Sequence, residues 1–423
     1  MDPSSRCPSP FAVGTHERGV AIVRRTPDGL ACEASADGVT WVSEASSFPE
    51  ADGLRPLCTA EYDADASLLC ADEAGAVVPV RLSDGRATTG EAFRPVPDGE
   101  DWYESPPEPE DLALVRDESA GVFRAFFCAR RRVGRDPERR GCIGAATSPD
   151  CRRWTLEPPI FAPNRFPRLF TPHVVSHAGR TVLFYTTPEH GDLRGIRFAL
   201  APHLEGPYER TESDVLACDV RPTVHTAPLA DQRLVFFSRK EPGSRGPITL
   251  SRPGRLDFHA DGRPFVRFHD KLLSLADRNV FHTEASLASD EPLVRVLPRY
   301  GADFHLSARI SGLGARAAGL LFRTSITGHD NIVLWLEFDT GALTLRRGVK
   351  GRLLGRVRRP LSTGTPHRIG IWAEGAFADV YLDDEWVLSG YTETRKSGGF
   401  GLAVAGGPAR FDAVSAQAIR PAS

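Results

Sequence analysis

The sequence predicts an all-β protein, a five-bladed β-propeller followed by a concanavalin- or jelly-roll-like β-sandwich, on the basis of three observations. The 423 residues include 39 Gly and 34 Pro and few long helical patterns, which is typical of many short strands joined by turns. A unit recurs roughly every 50 residues through the first two thirds of the chain. From about residue 300 the repeat gives way to evenly spaced strands of a sandwich type.

The repeat is clearest where a Ser, an Asp and a Trp recur in the same register. One copy is the stretch Ser35–Trp41, and another is Ser148–Trp154. Repeats of roughly 40 to 50 residues with about four strands each are typical of propeller blades. A propeller brings the starts of its innermost strands together around one funnel, so polar residues far apart in sequence converge there.

Apolar alternation between turn residues predicts the strands of each blade in order. They begin at Gly19, Leu30 and Val39 in the first blade; Pro56, Ser67 and Val77 in the second; Asp111, Val122, Gly141 and Trp154 in the third; Pro172, Thr181 and Gly195 in the fourth; and Pro222, Leu234 and Pro247 in the fifth.

The second part of the chain shows the strand spacing of a sandwich. Its strands begin at Phe304, Ala318, Ile332, Ala342, His367, Ala378 and Phe400. The spacing of Trp335, Trp372 and Trp386 along these strands fits either a core or a sugar-binding face. We therefore expect a propeller over residues 1–270, a linker over 271–300 and a sandwich over 301–423.

Composition excludes several classes of partner. The net charge of −3 gives no case for nucleic-acid binding or for attraction to a membrane surface. The sequence contains no apolar stretch long enough to span a bilayer, and the N-terminus lacks the apolar run of a secretory signal. We expect a cytoplasmic protein whose partner is a small-molecule substrate.

The cysteines point to the same compartment. All 8 lie between Cys7 and Cys218, without a Cys-x-x-Cys pair or the spacing of metal ligands. They are expected to be reduced, buried thiols, and neither a metal nor another cofactor is expected.

Residues at the starts of the innermost strands, and in the hairpins between second and third strands, should line the funnel. The first set comprises Trp102, Tyr103, Glu104, Glu108, Glu110, Asp111, Arg168, His173, Arg221 and His225, and the second comprises Glu189, His190, Asp192, Arg239 and Lys240.

Each candidate has a functional and a structural interpretation. Asp111 begins an innermost strand, as a catalytic carboxylate or as a cap for backbone donors. Glu189 is a candidate general acid if burial raises its pKa, and otherwise a solvated loop residue. His173 and His225 occupy matching blade positions and would line a pocket or lie in the core.

The remaining candidates are suited to binding. Arg221 fits bidentate recognition of a carboxylate, phosphate or diol. Trp102 and Tyr103, with Glu110 nearby, would stack on a sugar or pack between blades. The basic hairpin of residues 130–140 is either solvated or recognises an anionic ligand at the rim.

The architecture and the blade ends resemble those of glycoside hydrolase family 32 and the related family 43. The stretch 248–266 is similar to the family segment that ends the last blade, the stretch Asp379–Leu388 is similar to a strand hairpin of the family sandwich, and Leu204–Tyr208 resembles a blade end. The resemblance implies hydrolysis of a glycosidic bond by two carboxylates, one a nucleophile or base and the other an acid, with a third acidic residue stabilising the transition state.

The catalytic motifs of this family are degenerate here. The first blade opens with Arg6–Phe11, without the carboxylate of the Trp-Met-Asn-Asp-Pro-Asn-Gly motif. Asp111 matches the Asp of the Arg-Asp-Pro motif by position, and Phe170–Pro172 takes the place of Glu-Cys-Pro without its Glu. The literal Arg135–Pro137 sequence lies in a hairpin and is interpreted as a chance match.

Three functions remain open at this point. The first is a glycoside hydrolase-like enzyme that uses Asp111 and Glu189 on a small glycoside or sugar-bearing metabolite. The second is a catalytically inactive propeller that binds a carbohydrate or metabolite. The third is a scaffold adapted to a lyase or cyclase step in biosynthesis, using His173, Arg221 and His225.

Overall fold

The computed structural model describes most of the chain, and the statements below concern those residues. They are 11–16, 19–26, 29–48, 51–58, 68–83, 86–94, 102–104, 112–132, 136–177, 179–188, 193–211, 214–220, 223–239, 248–325, 330–392 and 397–420. In this part of the chain, no helix is long and apolar enough to cross a membrane.

The first three blades are separate sheets of four antiparallel strands in sequence order. Blade I has β1 (Phe11–His16), β2 (Gly19–Thr26), β3 (Gly29–Ser35) and β4 (Val42–Phe48); blade II has β5 (Arg55–Cys58), β6 (Leu68–Ala71), β7 (Val77–Ser83) and β8 (Arg86–Thr89); blade III has β9 (Leu112–Asp117), β10 (Val122–Arg130), β11 (Gly141–Ser148) and β12 (Thr155–Phe161).

The last two blades follow the same plan. Blade IV has β13 (Phe170–His177), β14 (Arg180–Pro188), β15 (Leu193–Ala201) and β16 (Val215–Val220); blade V has β17 (Thr223–Leu229), β18 (Gln232–Arg239), a third strand split into β19 (Thr249–Leu250) and β20 (Gly254–Phe258), and β21 (Pro264–Phe268). The predicted five-bladed propeller is confirmed.

The recurring Ser and Asp form the turn between the third and fourth strands of a blade. The Asp37 carboxylate accepts hydrogen bonds from the backbone amides of Val39 and Thr40, both at 2.8 Å. The Asp150 carboxylate accepts equivalent bonds from the amides of Arg152 and Arg153 at 2.9 and 3.1 Å. Residues 39–41, predicted to begin a strand, therefore lie before β4, because the aspartate holds them in a turn.

The sandwich consists of two layers of six strands, and the first layer is continuous with blades IV and V through pairing of its strand Glu385–Tyr391. The first layer contains β22 (Ala276–Ser289), β24 (Phe304–Ser311), β29 (His367–Glu374), β30 (Phe377–Leu382), β31 (Glu385–Tyr391) and β33 (Gly407–Ile419); the second contains β23 (Leu293–Gly301), β25 (Ala317–Thr324), β26 (Ile332–Glu337), β27 (Ala342–Arg347), β28 (Arg352–Arg358) and β32 (Gly398–Ala405).

The predicted linker over 271–300 differs from the structure. A short 3-10 helix, Asp270–Leu275, joins the domains, and β22 begins at the next residue. The strand β22 pairs with β33, and β23 pairs with β32. Most of the predicted linker therefore belongs to the sandwich. The sequence did not indicate this, because these edge strands carry exposed residues at alternate positions and have no continuous apolar run.

One apolar cluster contains residues of both domains. Trp372 and Trp386 of the sandwich are each 2% exposed and lie in a cluster with residues of blades IV and V. The ring of Trp386 stacks on that of Phe237 at a centroid distance of 4.2 Å. Trp335 is buried in a separate cluster within the sandwich. All three tryptophans therefore belong to the core, which was one of their two predicted roles.

A buried ion network crosses the same interface. The Arg239 guanidinium, at the end of β18, lies 2.8 Å from the carboxylate of Asp219 in β16 and 2.6 Å from that of Asp379 in β30. Burial alone would lower the pKa of Arg239, but the two carboxylates raise it. Arg239, expected to line the funnel, instead joins two blades to the sandwich.

Replacement of Arg239 by methionine should destabilise the protein by about 3–5 kcal/mol, because two buried carboxylates lose their cation. Urea unfolding at pH 7 measures this loss. Arg368→Met, which removes an exposed ion pair with Asp384, is the matched control and should cost about 1 kcal/mol or less. An Arg239 variant as stable as this control would contradict the role of Arg239 as the buried cation that joins two blades to the sandwich.

Candidate active site at the funnel face

The starts of the innermost strands define one face of the propeller, which we call the funnel face. The strands β1, β5, β9, β13 and β17 contact one another in turn around the axis, and β17 closes the ring against β1. Their first residues are Phe11, Arg55, Leu112, Phe170 and Thr223. Polar groups near these positions converge from all five blades.

Eight of the fifteen residues expected to line the funnel lie outside the described part of the chain. They are Glu108, Glu110, Asp111, Glu189, His190, Asp192, Arg221 and Lys240. The structure describes the other seven, which are Trp102, Tyr103, Glu104, Arg168, His173, His225 and Arg239.

Trp102 and Tyr103 differ in exposure. Tyr103 is buried in blade III, where its hydroxyl donates to the carbonyl of Glu157 at 2.7 Å and its ring lies edge-on to Phe127. This burial raises the pKa of Tyr103 well above its usual value. Trp102 is 40% exposed. Of the two rings, Trp102 alone is available to stack on a ligand.

Glu104 organises the basic hairpin that follows β10. Its carboxylate lies 3.3 Å from the Arg130 guanidinium and also binds that of Arg140. Arg131 donates to the side-chain oxygen of Asn164 in the connection to blade IV. Three arginines of the hairpin therefore bond to specific protein groups and are not charges exposed only to solvent.

The literal Arg-Asp-Pro sequence has a structural role. Asp136 caps the short 3-10 helix Pro137–Arg139 by accepting from the amide of Glu138 at 3.0 Å. Its other oxygen lies 3.1 Å from the Arg139 guanidinium. A local cap explains this aspartate without a catalytic role.

The start of β13 is strained where the resemblance would place a catalytic glutamate. Thr171 has a φ of +48°, in the left-handed region that β-branched residues rarely occupy. A bulge interrupts the pairing of β13 with β14 between Phe170 and His173. The Thr171 hydroxyl lies 3.2 Å from that of Thr186. Such strain persists where the surroundings enforce it, often at functional sites.

His173 and His225 lie on adjacent innermost strands, β13 and β17. The Nε2 atom of His173 lies 3.0 Å from the hydroxyl of Thr226, and the Arg233 guanidinium donates to this hydroxyl at 3.3 Å. His225 is buried beside Thr226 in β17. The sequence analysis missed Thr226 and Arg233, because the contact of Thr226 with His173 joins two different blades and no local pattern indicates it.

Burial keeps both imidazoles neutral. It lowers the pKa of His173 to about 3, aided by the nearby His225 and Arg233, and lowers that of His225 to about 4. Near pH 7 each ring therefore offers one hydrogen-bond donor and one acceptor. This chemistry suits uncharged hydroxyl groups.

Within the described residues, no group of three or more His, Cys, Asp or Glu side chains is arranged to hold a metal ion.

Solved structures resemble the chain over nearly its whole length. A family 32 β-fructofuranosidase from Bombyx mori is 11% identical with a TM-score of 0.68, over 98% of this chain and 91% of that one. A sucrose-6-phosphate hydrolase from Lactobacillus gasseri is 14% identical with a TM-score of 0.66, over 98% and 91%. An exo-inulinase from Aspergillus awamori is 12% identical with a TM-score of 0.70, over 97% and 95%.

No protein-family model and no curated protein sequence matches the chain. At identities this low, the likeness to solved structures concerns the fold. The protein has the propeller-and-sandwich fold of glycoside hydrolase family 32, as the resemblance in sequence implied.

Stability should fall as the pH drops from about 6.5 towards 4. An unfolded histidine titrates near 6.5, whereas folded His173 and His225 stay neutral to about pH 3 and 4. The unfolded chain therefore takes up protons first, and acid favours it. Urea midpoints across this range should decline less steeply in His173→Gln than in the wild type.

The exposed His282 provides the control, since His282→Gln should leave the slope unchanged. Equal slopes in all three proteins would show that His173 protonates as readily in the folded state as in water.

Proposed function

We propose that the protein is a glycoside hydrolase-like enzyme that cleaves a small glycoside or sugar-bearing metabolite at the funnel face. The observation that carries the proposal is the likeness of the whole chain, both domains in the same order, to structures named as fructofuranosidases and inulinases. Because a fold does not determine a reaction, the residues around the funnel face provide the rest of the argument.

Asp111 and Glu189 are the proposed carboxylate pair. Asp111 directly precedes Leu112, the first residue of β9, and Glu189 directly follows Pro188, the last residue of β14. The start of an innermost strand and the end of a second strand belong to the same face of a propeller. We assign Asp111 as nucleophile or base and Glu189 as the acid that protonates the leaving oxygen.

The described side chains suit a sugar. Half-buried His173 carries a neutral ring that can bond a sugar hydroxyl, which acts as both donor and acceptor, and buried, neutral His225 leaves its surroundings uncharged. The exposed ring of Trp102 provides an apolar surface for stacking. Arg221, which directly follows β16, is proposed to bind a diol or an anionic group of the substrate, with Glu110 nearby.

Glu104 is a poor alternative acid. Its carboxylate is bound by two guanidinium groups, those of Arg130 and Arg140. A carboxylate held by two ion pairs is not free to turn towards a bound sugar. Glu104 therefore fits a role in positioning Arg130 and Arg140 at the rim of the funnel.

The variants Asp111→Asn and Glu189→Gln should each lower kcat by about 10²–10⁴-fold, because each removes a group that transfers a proton or bonds to the anomeric carbon. The assay follows sugar release from fructosides and a panel of aryl glycosides. Asp136→Asn, which alters the helix cap, is the control and should retain wild-type kcat.

Circular dichroism and melting temperatures must match among the variants for the comparison to hold. Full activity of Asp111→Asn would refute the assignment. A wild-type protein that binds sugars in calorimetry but cleaves none would identify a binding protein instead.

A further inference from the structure

Arg323 is a buried cation that spans one end of the sandwich. It is the second-last residue of β25, in one sheet, and its side chain is 0% exposed. Its Nη1 atom donates to the hydroxyl of Thr392, which directly follows β31 of the other sheet. The side chain therefore crosses between the two sheets.

The opposite edge of this guanidinium has no partner. Over the described ranges, neither Nε nor Nη2 of Arg323 has a hydrogen-bond acceptor, and both atoms are shielded from solvent. These two nitrogens point in the same direction and form a planar pair of donors. Such a pair matches two oxygens of a carboxylate or phosphate, as Arg does in bidentate ion pairs.

The surroundings do not neutralise the charge. Asp303 raises the pKa of Arg323, but burial outweighs it and lowers that pKa to about 10, so the side chain remains a cation at neutral pH. One oxygen of Asp303 instead accepts from the amide of Gly375 at 2.9 Å. A buried charge without a bonded counter-charge is unfavourable, and in native proteins it is normally paired.

The backbone holds Arg323 in this place. Its φ of +51° lies in the left-handed region, and the pairing of β25 with β32 is bulged between Leu321 and Thr324. Gly398 packs so closely that a Cβ there would lie 2.5 Å from the Arg323 carbonyl carbon. Backbone strain of this kind often accompanies a binding function.

We propose that the Nε–Nη2 edge of Arg323 binds the carboxylate or phosphate group of a small ligand within the end of the sandwich. The site belongs to the other domain from the funnel face, and it stands whether or not the funnel hydrolyses glycosides. The buried hydroxyl of Thr392 orients the guanidinium from its opposite edge.

The test is thermal unfolding of the full chain in a bulky sulfonate buffer, with inorganic phosphate or acetate added in increasing amounts. A bound ion should raise the wild-type melting temperature saturably, by at least about 2 °C. Arg323→Met should show no such rise. A response to one of the two ions distinguishes a phosphate site from a carboxylate site.

Two further variants separate binding from a structural role. Arg323→Lys keeps the charge but not the paired donors, so it should also lose the response. The exposed Arg309→Met in β24 should keep it. Without added ion, Arg323→Met should be at least as stable as the wild type, because it removes an unpaired buried charge.

The proposal is overturned if the wild type responds to neither ion, or if Arg323→Met responds as the wild type does. It is also overturned if Arg323→Met is less stable by the same margin with and without ion, since Arg323 would then be purely structural. Should Arg323→Met fail to fold, the loss or retention of the response in Arg323→Lys decides.

Discussion

Closure of the propeller ring is the constraint on which the site depends. Each described blade is built from consecutive strands, so no strand is shared between the first blade and the last. Side-chain packing closes the ring instead: Val20 and Ile22 of blade I share a buried cluster with Leu234 and Phe236 of blade V. Only this closure brings the starts of five innermost strands to one face.

The connection to the sandwich supports the same closure. His269, which follows the last strand of blade V, places its Nε2 atom 3.0 Å from the carbonyl oxygen of Asp37 in blade I. Blades IV and V also share the core of the sandwich, and Arg239 links them to it through carboxylates. The half of the funnel face that carries His173 and His225 is therefore braced by the second domain.

The sequence predicts the architecture well because turn chemistry and apolar alternation are local. The Asp37 and Asp150 turns each mark the passage from the third to the fourth strand of a blade. The strands β22 and β23 escape prediction because they lie at sheet edges, where exposed and half-buried residues alternate and no described residue is fully buried. The contact of Thr226 with His173 and the ion pair of Arg239 with Asp379 join residues distant in sequence, so no local pattern reveals them.

The most direct measurement is the separation of the Asp111 and Glu189 carboxyl groups in a crystal structure of the protein with a sugar bound at the funnel face. The account predicts a distance of about 5–10 Å across the scissile bond, with about 5–5.5 Å indicating retention and about 6.5–9.5 Å inversion. Carboxyl groups farther apart than this, or a bound sugar that contacts histidine and arginine but only one carboxylate, would contradict the proposal of glycosidic cleavage.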